Sequence, residues 1–172
     1  VPGFLDGHIH VESSMMGVGE YAKAVVPHGT VGIYMDPHEI CNVLGLEGVK
    51  CMLEDAARTP LKAMLTTPSC VPAVPGFEDT GSFIGPKEVA ETMTWDSCVG
   101  LGEKMNFPGI LSGSDHAHGI TGATWRQIKL SLATIPCRKP GKASTLISLL
   151  ACAAAMSPPG QRTLWQKCDW RS

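Results

Sequence analysis

The sequence predicts an α/β fold with a parallel sheet, and three observations predict it. Short apolar runs alternate with helix-spaced segments over residues 1–113. Gly, Pro or Asp punctuates the junctions between them, where the chain must turn. Polar, chemistry-bearing residues follow the apolar runs, as at the strand ends of βα folds.

The elements follow in order. Phe4 to His10 (FLDGHIH) is a short apolar run with Gly ahead of the histidines, a first strand. Val18 to Val26 has helical spacing, and Pro27-His28-Gly29 closes it. Val31 to Met35 is a second, buried strand ended by Asp36-Pro37. Leu44 to Arg58 reads as an amphipathic helix, with Leu46, Val49, Met52, Leu53 and Ala56 on one side. Ala63 to Thr66 is a third strand. Pro86 opens a helix at its first turn, running to Thr94, and Cys98 to Gly102 is a fourth strand. No internal repeat is present. Periodicity alone does not separate a doubly wound sheet from a barrel, since both alternate in this way.

Composition excludes several classes. A hydrophobic fraction of 44% with 17% charged residues suits a globular chain. The net charge of −2 calls for no nucleic acid and no anionic membrane. No run reaches the roughly 18 apolar residues of a membrane span. The chain opens on Val-Pro-Gly without a signal peptide or initiator Met, so a start further upstream is expected. Seven cysteines, odd in number and without a CxxC pair, read as reduced thiols of a cytoplasmic protein.

The strongest chemical signal is Asp6-Gly7-His8-Ile9-His10. On extended backbone, residues i and i+2 share a face, so two imidazoles converge on one point. Imidazole suits Zn, Fe and Mn, which makes His8 and His10 candidate metal ligands; two surface histidines near a turn are the plain alternative. Asp36-Pro37-His38-Glu39 follows the second strand directly. Asp36 could hold a neighbouring imidazole in one tautomer, beside His38 and Glu39 as further site residues. Equally, Asp36 could cap the next helix, leaving His38 and Glu39 solvated. Glu103 follows the fourth strand inside Gly100-Leu101-Gly102-Glu103, where the glycines permit close approach. Its carboxylate could join two divalent cations, or it is an exposed loop residue. Ser69-Cys70-Val71-Pro72-Ala73 shapes a pocket rather than reacting, since no thiolate-stabilising neighbour of Cys70 is evident. A second HxH, His116 and His118, lies beyond a break in composition and is set aside.

Taken together, PGFLDGHIHVESSMM (2–16), PHGT (27–30), DPHEICNVLGLEG (36–48), PSCVPA (68–73) and GLGEKMNFPGILSG (100–113) resemble the bacterial adenine deaminases of the amidohydrolase superfamily. The resemblance is collinear over residues 1–113. It implies an amidohydrolase-type (β/α)8 barrel, of which this chain would carry the first four or so βα units. It implies hydrolysis of adenine to hypoxanthine and ammonia by a metal-activated hydroxide, a step of adenine catabolism and purine salvage. The cofactor would be a binuclear divalent centre, Mn or Fe before Zn. By position, His8 and His10 would ligate the first ion and Glu103 would bridge both. Asp36, His38 and Glu39 would sit in the family's polar second-strand segment. The full-length family member would be a homo-oligomer. Lys104 departs from the family's usual Met in GEMMN and would place a cation beside Glu103. Another amidohydrolase acting on a cyclic amide or nucleobase, or an inactive gene remnant, are the competing readings.

The rest of the chain has another character. Residues 1–115 hold fifteen acidic and six basic side chains, whereas 116–172 hold only Asp169 against eight Lys or Arg. Trp125, Trp165 and Trp170 also fall there. A basic tail for an acidic partner would have this pattern. Out-of-frame translation of 114–172 explains more. Reverse-translating Ser144 onward and starting one nucleotide earlier can give LNAYIAAGVRSC, then HEST, then an acidic AEDALAEMRLE run. LNAYIAAG and a CHE turn are segments the family carries downstream. The family's GHAPG segment, further histidine ligands and catalytic aspartate are absent as written, so the chain alone is expected to be inactive.

Overall fold

Every apolar run assigned to a strand is one, and each lies beside the next. The computed structural model describes residues 2–126 and 130–131. Strands β1 (Phe4–Ile9), β2 (Thr30–Met35), β3 (Lys62–Thr67), β4 (Cys98–Leu101) and β5 (Leu130–Ser131) form one sheet in the order β1-β2-β3-β4-β5. All pairs are parallel. Spatial order follows chain order without a reversal, so these strands have no switch point of the doubly wound kind. This is the strand order of a (β/α)8 barrel, four βα steps of which are present.

The connecting helices are α1 (Val18–Val25), α2 (His38–Ala56), α3 (Pro86–Thr92), α4 (Phe107–Leu111) and α5 (Asp115–Arg126). They cover the sheet through two apolar clusters. In the first, Val18 and Ala22 of α1 and Met52 and Ala56 of α2 pack on Ile33 and Met35 of β2. In the second, Leu65, Cys98 and Leu101 of the sheet meet Val49, Val89, Ile120 and Ala123 of three helices. Burying side chains of this size contributes about 1.5–3 kcal/mol each. That packing fixes the strand ends on which the polar residues stand.

Three local features depart from the expected elements. Helix α2 begins at His38, six residues before the expected Leu44, and breaks at Gly45 (φ 62, ψ −145). The early start escapes a search for one apolar stripe because the break resets the helical phase. The capping role for Asp36 does not hold: Pro37 occupies the cap position without a side-chain bond, and Asp36 is fully buried. Finally, α5 lies beyond the boundary read at residue 113, yet Ile120 and Ala123 enter the core. Its Gly-, Thr- and His-rich sequence has a weak apolar face, which hid it. The stretch from residue 144 onward read in the shifted frame, with Trp165, Asp169 and Trp170, lies outside the described residues.

Cys41, Cys51, Cys70 and Cys98 carry thiols rather than disulfides. No helix of the described residues is long and apolar enough to cross a membrane.

Candidate metal centre

The site is assembled from strand ends, beginning with an irregularity in β1. Asp6 pairs with Ile33 and Ile9 with Met35, so β1 carries one extra residue over the Gly7-His8 stretch. Such a bulge bends a strand and re-aims its side chains. Asp6 steadies it, its Oδ1 accepting the His8 amide at 3.1 Å. His8 and His10 then bring their Nε2 atoms to 3.1 Å from each other, with ring centroids 4.8 Å apart. Two donors each about 2.0–2.1 Å from one ion stand about 3 Å apart, so this spacing fits a shared cation.

Glu103 faces the same point from the end of β4. Its Oε1 lies 3.2 Å from His10 Nε2 and its Oε2 3.9 Å from His8 Nε2, and its side chain is only 15% exposed. Asp36 completes the group from the end of β2. His8, His10, Asp36 and Glu103 each offer one ligand atom, all within 4.8 Å of one another. His8 Nδ1 has no hydrogen-bond partner among the described residues, and His10 Nδ1 has only a 3.5 Å contact with Glu39 Oε2. The His/His/Asp/Glu donor set suits borderline divalent cations. The plain alternatives for these residues, surface histidines and an exposed loop Glu, do not describe what is built.

Asp36 does more than offer an oxygen. Oδ2 accepts the Glu103 amide at 2.9 Å and Oδ1 meets His38 Nδ1 at 3.1 Å. His38, 3% exposed, directs Nε2 to the Cys70 carbonyl at 3.0 Å. Carboxylate and carbonyl are both acceptors, so the ring satisfies both by carrying two protons. Burial opposes that charge, yet the Asp36 carboxylate and the Cys70 carbonyl raise the His38 pKa above the ordinary histidine value. The reading of His38 as solvated is therefore overturned.

Gly102 makes this arrangement possible. A Cβ there would overlap Asp36 Oδ2 and sit 2.6 Å from its Cγ. Gly102→Ala is expected to push the Asp36 carboxylate away from the Glu103 amide. A drop of roughly 1–3 kcal/mol in stability, the cost of a buried polar group left unpaired, would appear as a lower denaturant midpoint.

Glu39 is half exposed, at 52% of its side chain. It accepts the Ser13 hydroxyl and faces His10. Although burial works against it, the Ser13 bond, its own backbone N–H and His10 lower its pKa. Sequence reasoning missed its neighbour Glu12, whose Oε1 accepts the Glu39 and Ile40 amides at 3.1 and 3.3 Å. Glu12 thus caps α2 from another segment and ties the end of β1 to the end of β2. Burial raises its pKa, and the adjoining Glu39 carboxylate adds to the rise.

Lys104 does not stand against the Glu103 carboxylate. Its ammonium turns away to the Ala117 carbonyl at 3.1 Å, and the side chain is 5% exposed. Desolvation lowers its pKa to about 8 against an ordinary 10.5. Between those values the unfolded chain binds the extra proton, so stability should rise with pH from about 8 to 9, above which the buried Cys41 thiol, pushed up to about 12 from 9.0, acts in the opposite sense. The gap corresponds to about 3 kcal/mol at neutral pH, and Lys104→Met should recover much of it and flatten the slope. Urea midpoints measured across that range test this; a flat profile in the unsubstituted chain would contradict it.

His118 bonds the Ile110 carbonyl at 3.1 Å, and the His116 ring lies 5.0 Å from that of Phe83. Neither belongs to the ligand group.

The model of the "Amidohydrolase family" matches residues 1–129. This chain belongs to the amidohydrolase family. A protein named adenine deaminase from Clostridium botulinum (strain ATCC 19397 / Type A) is 73% identical over 128 residues, covering 74% of this amidohydrolase and 21% of the relative. One of the same name from Moorella thermoacetica is 58% identical over 123 residues, 72% of this chain and 21% of the relative. "Adenine deaminase 1" from Jannaschia sp. is 48% identical over 124 residues, with the same two coverages of 72% and 21%. The chain thus spans about a fifth of the length of the curated relatives it matches.

Proposed function

We propose that this amidohydrolase sequence carries part of the metal centre of an adenine deaminase, which hydrolyses adenine to hypoxanthine and ammonia in the cytoplasm. The observation that carries the reading is the convergence of His8, His10, Asp36 and Glu103 on one point at the strand ends. Relatives at 73% and 58% identity that are named adenine deaminase suggest the substrate.

His8 and His10 would hold a first ion, and the Glu103 carboxylate would serve that ion and a second. Mn or Fe is the metal, ahead of Zn. When bound, such ions bring the pKa of water near neutrality. The protein's own part is to fix the donors. Asp36 orients Glu103 through its backbone amide, and His38 holds Asp36. Glu39 faces the far nitrogen of His10, the outer carboxylate–histidine arrangement that sets ring orientation at metal sites. The complete enzyme is a homo-oligomer that takes adenine as a small-molecule substrate.

The boundary read at residue 113 moves later, because α5 packs into the core and the family match runs through residue 129; a change of frame between residues 129 and 143 is the reading these observations support. Resequencing the locus with its flanks tests this, and a confirmed frame with no shift restoring similarity would refute it. The substrate is tested on a frame-restored chain loaded with Mn or Fe. Ammonia should be released from adenine, while the 172-residue chain itself should release none above the blank. Turnover of a cyclic amide with adenine untouched would reassign the enzyme.

A further inference from the structure

Ser69 and Cys70 follow β3, belong to no ligand group, and are each 4% exposed. Their bonds all run toward the candidate metal centre. Ser69 Oγ donates to the Glu103 carbonyl. Cys70 Sγ accepts the Met105 amide at 3.1 Å, and the Cys70 carbonyl receives His38 Nε2 at 3.0 Å. With Asp36 bonded to both His38 and the Glu103 amide, these contacts close a ring across the ends of β2, β3 and β4.

Glu103 and Met105 lie past the end of β4, where no sheet ladder holds the backbone. The Glu103 N–H, the Glu103 C=O and the Met105 N–H are instead satisfied by the side chains of Asp36, Ser69 and Cys70. Asp36 fixes one end of the segment and the Ser69-Cys70 pair fixes the rest. We infer that Ser69 and Cys70 are positioning residues that hold the Glu103–Met105 backbone so that the Glu103 carboxylate faces His8 and His10. The inference rests on the metal-binding reading of that group. It gives a use to two buried nucleophilic side chains that otherwise have none in the site. At this position the thiol accepts the Met105 amide and also reaches the Glu103 carbonyl at 3.5 Å.

The test is titration of the purified metal-free chain with Co(II), following both affinity and the visible ligand-field bands. His8→Ala serves as the control for site identity. Ser69→Ala and Cys70→Ala should each weaken cobalt binding by about 10–100-fold, the range for residues one step removed from a metal. Each should also alter the band intensity per bound ion, which a purely structural loss of folded protein would not do. Cys70→Ser presents an oxygen to the Met105 amide and should restore most of the affinity and the original bands. Should Cys70→Ala fail to fold, Ser69→Ala decides alone, since it deletes a single oxygen. Unchanged affinity and bands in the alanine variants would overturn the positioning role while leaving the metal site standing. Weakening that only tracks the folded fraction by circular dichroism would overturn it too. If the unsubstituted chain takes up no cobalt, the metal-binding reading fails and this inference with it.

Discussion

Replacing His8 or His10 by Ala should reduce tightly bound metal to background, and Glu103→Gln should cost at least as much. Each histidine supplies an Nε2 that stands 3.1 Å from its neighbour's, so the loss of one leaves a single imidazole facing the carboxylates. A remaining His, Asp and Glu would still attract a cation, but without the pair of nitrogens that suits Mn, Fe or Zn. Glu103 sits within 3.2 and 3.9 Å of the two rings. A neutral amide there removes the charge that would offset a bound divalent cation and offers one oxygen in place of two. Metal analysis of the purified variants after dialysis decides the matter. If Glu103→Gln kept full metal content while Asp36→Asn lost it, the bridging carboxylate would belong to β2 rather than β4. In a frame-restored enzyme the same three substitutions should abolish ammonia release.

How far the sequence alone led depends on the residue. HxH was legible because backbone geometry sets the i, i+2 convergence, and no distant contact is needed to read it. Strand spans were legible for a similar reason: a run such as Val31 to Met35 is apolar on both faces, as a strand beneath covering helices must be. Glu103 was legible as a strand-end carboxylate but not as a buried one, since its burial comes from packing against β1 and β3. Asp36 and His38 stayed ambiguous because a cap and a buried pair share the motif Asp-Pro-His-Glu. The Glu103 amide on Asp36 and the Cys70 carbonyl on His38, 67 and 32 residues away, settle which one forms. Glu12 and Ser69 act through backbone atoms of remote segments, and side-chain pattern holds no trace of such partners. Lys104 was placed on the wrong side because sequence adjacency to Glu103 says nothing of where a long side chain turns. Helix α5 was missed when a change in charge was taken for the end of the fold.

Asp36→Asn is the change for which the structure alters the expected size of the effect. Read as a supporting residue, Asp36 would cost roughly 10–100-fold in metal affinity when neutralised. Its surroundings call for more. Both oxygens accept: one from the Glu103 amide at 2.9 Å, the other from His38 Nδ1 at 3.1 Å. Asn has one acceptor and one donor end, so it serves both neighbours only if His38 gives up its Nδ1 proton; against the imidazolium, either orientation points an NH2 at another donor. Turning the amide toward Glu103 frees the backbone that carries the carboxylate; turning it toward His38 leaves a buried imidazolium without its anion. Side-chain exposures of 4% for His38 and 0% for Asp36 leave no water to take the lost place. Breaking a buried pair on one side costs about 3–5 kcal/mol, so Asp36→Asn should lower stability by that order. The pH profile separates this from a generic core defect. The His38 pKa is raised in the fold, so its contribution is complete below the ordinary value of 6.5 and fades as pH climbs through the raised one. In the metal-free chain, urea midpoints should therefore fall with rising pH above 6.5, before the opposite Lys104 effect sets in near 8. Asp36→Asn should start lower and lose that fall, because the neutral amide no longer favours the imidazolium. A variant as stable as the parent, or one that keeps the parent's slope, would show that the Asp36–His38 pair does not hold the β2 end of the site.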